Sequence, residues 1–535
     1  MTRVAHALLL VALVVAPSGR AAAAPELDRA AAFRQAQANG LLVEDVFQRT
    51  RRMLHAWLAY ADPRTLLLPD VLPGFLRGPK GLHIYRPHNS GADNYPYLVA
   101  TAWFTDRPLY EGRLAEMLRS DVRYTNALDG IPADLDLEKG VLGPPSLFGA
   151  AEYAKDGLVA ITELLGRTPW FYRMADMTAD LMKHAPVASD FGPLPDAGAE
   201  LNGDVLQTLV RLASMTGEAR YLEWARRLGD AYVREVLPRN HSLPGYSWDF
   251  QKHEGPDRMR LRDHGNEIVV GLELLLALES EHGGERAASY RAPLGRMLDR
   301  ILASANPDGL LYDEIRASDL APLAQGLSDN WGYVYGAVYT HYMLTGDERY
   351  RGYDWERGSH DGYADSIESA LYLVAREPVP EAERWIDSET KRLVAFQKPD
   401  GTIERWYGDG NWARTLLLYA MWKTQGSYLD GWREGVKLGA VREGERLFVS
   451  LAAPAGWKGR LRFDYARHRR ELNFGRNYVR LNEWPEWFTV DENVLYRLTD
   501  DRGVETLRLG SELKTGLAVE GSRRFVVERA PAKTP

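Results

Sequence analysis

DVLQTLVRLASMTGEARYLEWARRLGDAYV, residues 204–233, holds one complete unit of the fold. Its first half is apolar nearly all round and reads as a buried helix. A Thr-Gly turn follows, and then an amphipathic helix with a charged face and an early aromatic. The turn-and-helix part recurs in TDRPLYEGRLAEML (105–118), GRTPWFYRMADMTADLM (166–182) and TGDERYRGYDW (345–355). One helical hairpin is therefore used repeatedly, its first helix inside and its second outside.

Extended along the chain, this pattern predicts buried helices starting near 93, 152, 200, 264, 330, 364 and 410. The step is roughly 50 residues, one hairpin plus a loop. With 43–60 as a further outer helix, the expectation is a mainly α fold, an (α/α)6–7 toroid. An open solenoid would have shorter steps and no inserts such as 238–263. Near 438 the pattern changes. REGERLFVSLAAP, GRLRFDYA, NYVRLNE, EWFTVDE, VLYRLTD, VETLRLG and RRFVVERA alternate with period two, which predicts strands. The predicted organisation is a catalytic toroid over 27–438 and a small C-terminal antiparallel β domain over 440–530. Residues 1–23 read as an export signal, with Arg3, an apolar run from Ala5 to Ala16, and Ala21-Ala22-Ala23 for cleavage. A secreted or periplasmic protein is expected, with no membrane span once the signal is removed.

The 535 residues include no cysteine, which excludes disulfides, thiolate metal sites and cysteine nucleophiles. A net charge of −8 argues against nucleic acid as a partner. No GxGxxG, P-loop, HExxH or GxSxG motif occurs, and DLDLE (134–138) lacks the EF-hand spacing, so neither cofactor nor metal is expected. RHRR (467–470) reads as solvated surface.

The starts of the inner helices carry the chemistry. In a ring they converge at one end, so their polar side chains line one funnel. Glu152/Asp156, Glu200/Asp204 and Asp263/Glu267 are each spaced i,i+4, which puts both carboxylates on one helix face. Acids at helix starts also serve as caps and complement the macrodipole. Capping does not call for the Asn, Trp and Tyr residues gathered at the same positions. The predicted catalytic residues are Asp204, Glu267, Asp263, Glu200, Glu152 and His264. The predicted binding residues are Arg86, Asp93, Asn94, Tyr95, Asn202, Arg260, Arg262, Asn266, Asn330, Trp331, Tyr333, Trp412 and Arg414. Carboxylates and amides suit sugar hydroxyls, aromatic faces suit pyranose C–H surface, and arginines suit a uronate carboxylate. Glycoside hydrolysis needs one carboxyl as proton donor and one as base or nucleophile. The leading expectation is a hydrolase acting on an acidic oligosaccharide or polysaccharide. A uronate lyase using His264, Asn266 and Tyr333 is the alternative, and a non-catalytic glycan-binding ring the third.

Over residues 90–438 the chain resembles the six-hairpin (α/α)-toroid glycan-degrading enzymes. The resemblance rests on TGEARY, TGDERY, NPDGLLYDE (306–314) and KPDGTIERWY (398–407), which look like loops of unsaturated-glucuronyl and rhamnogalacturonyl hydrolases. It implies a glycan-degrading activity, and within the group a secreted β-glucuronidase-like family with a C-terminal β domain. Seven hairpins would depart from the six of that pattern and keep the (α/α)7 uronate lyases in contention.

Overall fold

The computed structural model describes residues 28–328, 331–351 and 362–531, apart from the side chains of Asp263, His264, Trp331 and Tyr363. The export signal expected over 1–23, Asn330, and the side chains of Asp263, His264 and Trp331 thus lie outside the described residues. No helix among those described is long and apolar enough to cross a membrane.

The inner helices are Tyr95–Thr105, Leu147–Glu152 continuing to Leu165, Ala199–Thr216, Glu267–His282, Trp331–Thr345, Gly362–Val374 and Asp409–Lys423. Each packs against the next and the last against the first, so seven inner segments close a ring among the described residues. They are buried on nearly every face, as their all-round apolar sequences require. Two glycines let neighbouring backbones approach closely. A Cβ on Gly203 would collide with the Ile268 amide, and one on Gly410 with the Asp93 carbonyl. Outer helices Ala115–Thr125, Pro169–Lys183, Ala219–Ala231, Glu285–Ala303 and Pro380–Ala395 return outside, two of them opened by a proline at the first position. Gly217 and Gly283 end their inner helices in the left-handed conformation, at φ 70° each.

The helix Arg29–Leu58 packs on both the first and last inner helices and also lies along strands Lys437–Glu443 and Arg446–Ala452. Asn39 Nδ2 donates to the Ala440 carbonyl at 2.9 Å. The C-terminal strands form a five-stranded antiparallel sheet, ordered 505–509, 495–500, 523–529, 446–452 and 437–443, and a three-stranded one, ordered 517–520, 458–462 and 428–430. One apolar core runs from ring to sheets without a break.

Three expectations need correction. NYVRLNE and EWFTVDE form no strands; residues 471–494 are irregular apart from isolated contacts. The Leu481 carbonyl is taken up by Arg211 of the ring, and the Trp484 and Pro485 carbonyls by Arg467, rather than by a ladder. A four-stranded sheet built from 84–85, 126–128, 131–136 and 141–145 was not foreseen, and DLDLE falls in and just after its central strand. RHRR is a short helix with only Arg469 and Arg470 exposed; Arg467 pairs with Asp464 and His468 with Glu486, both buried.

Candidate active site

Polar residues on the inner helices form a column along the ring axis. On Ala199–Thr216, Glu200, Asp204, Gln207 and Arg211 follow at helical spacing from rim to base. Around Asp204, four carboxylates surround one buried ammonium. Lys155 Nζ lies 2.7 Å from Asp156, 2.5 Å from Glu267 and 3.8 Å from Asp204. Gln207 Nε2 donates to the other oxygen of Glu267 at 2.5 Å. Burial opposes the charge on Lys155, but Asp156, Glu267, Asp204 and Glu152 outweigh it and raise its pKa well above the usual lysine value. Glu152 behaves in the opposite sense. Burial, then Asp204 and Asp156, raise its pKa well above the carboxylate range, and its carboxyl hydrogen-bonds Asp156. Four buried carboxylates crowd one cation, and the raised pKa of Glu152 belongs to a titration that it shares with its neighbours.

A second group adjoins the first. Arg414 donates to Asp365 at 2.5 Å and lies 2.8 Å from Glu368, with its guanidinium 5.6 Å from the centre of the Tyr97 ring. Tyr372 hydrogen-bonds Glu368. Tyr333 stands in the field of Asp365, Arg414, Glu368 and Asp156, which places the two groups side by side. Of these carboxylates, Asp156 and Asp365 keep solvent-facing surface, 12% and 22% of their side chains. Asp204, Glu267 and Glu368 have none.

Burial, opposed by Arg414, pushes Glu368 up to about 7. A raised acid stabilises the fold fully below its unfolded pKa and loses that contribution as pH rises through the folded value. Glu368→Gln is therefore expected to gain stability relative to wild type between about pH 4.5 and pH 7, on the order of 3 kcal/mol. Urea unfolding of both proteins at the two ends of that window checks it. A difference independent of pH would mean that Glu368 is ionised throughout.

The base of the column is closed by the irregular segment after RHRR. Arg480 bonds Glu163 at 3.0 and 3.2 Å, and Arg211 bonds Glu163 at 2.8 Å while also donating to the Leu481 carbonyl. Trp484 Nε1 donates to the Ala160 carbonyl, and Arg376 pairs with Glu483. The tip reaches the carboxylate group itself: Asn482 Nδ2 donates to Asp156 Oδ1 at 3.0 Å and to the Lys155 carbonyl at 3.1 Å. Chain from the C-terminal region thus closes one end of the axial column.

The other expected residues scatter. Glu200 and Arg260 line a cleft of 310 Å³ at the rim with Phe148, Asp196 and Tyr246. Arg262 is exposed nearby. Arg86 is held by Asp70 at 2.5 Å and Asp134 at 3.0 Å. Asp93 takes a long contact of 3.5 Å from Asn411, and Asn94 is fully buried, with no hydrogen-bond partner for its amide among the described residues. Tyr95 turns outward, donating to the Leu114 carbonyl and accepting from Trp170. Asn202 bonds the Asp196 backbone, Asn266 the Leu261 carbonyl and Trp412 the Leu393 carbonyl, so these three brace loops and outer helices. Lys155, Asp365, Glu368 and Asn482 were not predicted. A lysine between the paired carboxylates of one helix start was the available signal for the first.

The fold and this axial column define an (α/α) toroid with a largely buried, carboxylate-rich axis. No family model matches the chain, and no curated protein does. Among solved structures it is similar to the cellobiose 2-epimerase of Spirochaeta thermophila DSM 6192, at 14% identity and a TM-score of 0.41, covering 59% of this chain and 82% of that one. It is also similar to the GH76A α-1,6-mannanase of Salegentibacter sp. HEL1_6, at 13% identity and a TM-score of 0.39, covering 57% of this chain and 96% of that one. A D-mannose isomerase matches at 13% identity and a TM-score of 0.41, with 57% and 83% covered.

Proposed function

We propose that the protein is an exported glycoside hydrolase acting on uronic-acid-containing glycans through the funnel carboxylates. The observation that carries this reading is the contact of Asp156, which keeps solvent-facing surface, with Glu152 behind it, whose pKa is raised by burial, Asp204 and Asp156. The proton shared by Glu152 and Asp156 passes to the leaving group through Asp156, whose orientation Lys155 and Asn482 fix. Asp365, ion-paired to Arg414 and also keeping solvent-facing surface, is the base or nucleophile. Asp204 and Glu267, two of the predicted catalytic residues, are fully buried, and their part is to hold Lys155 in place. The lyase reading has less support. Burial raises Tyr333 well above the usual phenol value, which makes it a poor base, and Asn266 is occupied by a backbone carbonyl.

The acidic substrate rests on Arg260 in the rim cleft, beside Glu200 and Tyr246. Arg260→Ala is expected to weaken a uronic-acid oligosaccharide by about 2–5 kcal/mol in kcat/KM and leave a neutral analogue nearly unchanged. Arg86→Ala, which strips Asp70 and Asp134 of their partner, should affect both substrates alike. Steady-state kinetics on the two substrates decide the point. Equal losses from Arg260→Ala would count against a uronate.

A further inference from the structure

Away from the axis, three side chains from three separate segments bring metal-ligating atoms within 4.8 Å of one another: Asp190, Glu235 and His253. Asp190 is at the exposed tip of a loop whose ends are joined by the Val187–Leu194 bridge. Glu235 is buried, on a π-helical turn, Tyr232–Val236, that follows the outer helix Ala219–Ala231. His253 sits in the turn closed by the Asp249–Glu254 bridge, at φ 57°. The two loops already touch, because Gln251 Nε2 donates to the Ala188 carbonyl at 2.9 Å.

We propose that these three residues bind a transition-metal dication, with zinc the best fit. One imidazole with two carboxylates suits zinc, whereas calcium and magnesium take oxygen ligands throughout. Glu235 carries the outer support that metal ligands need: Trp248 Nε1 donates to its Oε1 at 2.9 Å and fixes the carboxylate plane. The cluster sets two carboxylates against one imidazole, and His253 Nδ1, 2.9 Å from Glu235, is the only ion-pair partner of that carboxylate among the described residues. A dication neutralises the pair.

The position gives the site a purpose. The segments that adjoin these two loops, 196–201 and 246–247, build one wall of the rim cleft and are tied together by the Gly198–Ser247 bridge and the bonds from Trp248 N to the Ala197 carbonyl and from Ala199 N to the Tyr246 carbonyl. The chain has no cysteine to cross-link such inserts, and a metal tie does the same work. The site stands apart from the axial carboxylates and does not depend on the hydrolase reading.

The test is titration of the full chain, stripped with EDTA, with zinc alone and with calcium alone, followed by calorimetry and by thermal unfolding. One zinc per chain and a rise in Tm of several degrees are expected, with Asp190→Asn and His253→Gln each abolishing both. Trp248→Phe should weaken zinc by about 10–100-fold. Asp190 is exposed, so its variant is expected to fold and keeps the test decisive. Absence of saturable binding, or the same binding in the Asp190→Asn and His253→Gln variants, would overturn the proposal. Calcium binding as tightly as zinc would overturn the assignment of the metal.

Discussion

Asp156→Asn is expected to lower turnover of a uronic-acid oligosaccharide by about 10²–10⁴ while leaving the fold intact. The amide keeps the shape and can still meet Asn482 and Lys155, but it cannot carry the transferable proton. Glu152→Gln should act differently. It removes the proton reserve without touching the substrate, so the expected sign is a displaced alkaline limb of the pH–rate profile, where the donor loses its proton, rather than loss of rate at every pH. Glu152 titrates jointly with its neighbours, so the profile reports the pair and not one residue. Wild-type rates for Asp156→Asn would remove the residue from the mechanism. Equal rate loss at all pH values for Glu152→Gln would reduce Glu152 to a packing role.

The second large effect concerns the closed end of the axial column. Glu163 is fully buried between Arg211 and Arg480, and although burial raises its pKa, the two guanidiniums outweigh this and hold it below the usual carboxylate value. Glu163→Ala leaves two buried cations without their shared partner. Breaking a buried pair from one side costs about 3–5 kcal/mol, and that loss is expected in urea unfolding at pH 7. The sign with pH follows from the lowered pKa. The stability Glu163 contributes is present above its unfolded pKa and is lost as pH falls through the folded one. The deficit of the variant should therefore shrink in acid. A loss below about 1 kcal/mol at pH 7 would be what an exposed ion pair gives, and would mean that the segment around Arg480 does not seal the ring.

The same residues explain what the sequence could disclose. Helices buried on every face announce themselves by all-round apolarity, so the starts near 93, 152, 200 and 410 lie close to the observed inner helices. The glycines at those starts were visible, but their reason, the backbone contacts at Gly203 and Gly410, lies between helices distant in sequence. Spacing put Glu152 with Asp156 and Glu200 with Asp204 on common faces. It could not say which member of each pair meets solvent, because that depends on neighbouring helices. NYVRLNE alternates like a strand, yet both of its faces are buried: Arg480 and Asn482 reach Glu163 and Asp156 of the ring, while Val479 packs on Tyr339 and Tyr372. Glu163 and Arg211, charges inside apolar helices, signalled buried partners without naming Arg480, some 300 residues away in the chain.

Product analysis in ¹⁸O-enriched water tests the central reading most directly. Wild-type enzyme and Asp156→Asn are incubated with a uronic-acid oligosaccharide, and the products are read by mass and ultraviolet absorbance. Hydrolysis at the funnel carboxylates predicts saturated fragments carrying one solvent oxygen per bond cleaved, lost in the variant. Unsaturated fragments that absorb in the ultraviolet, carry no solvent oxygen and persist in Asp156→Asn would contradict it.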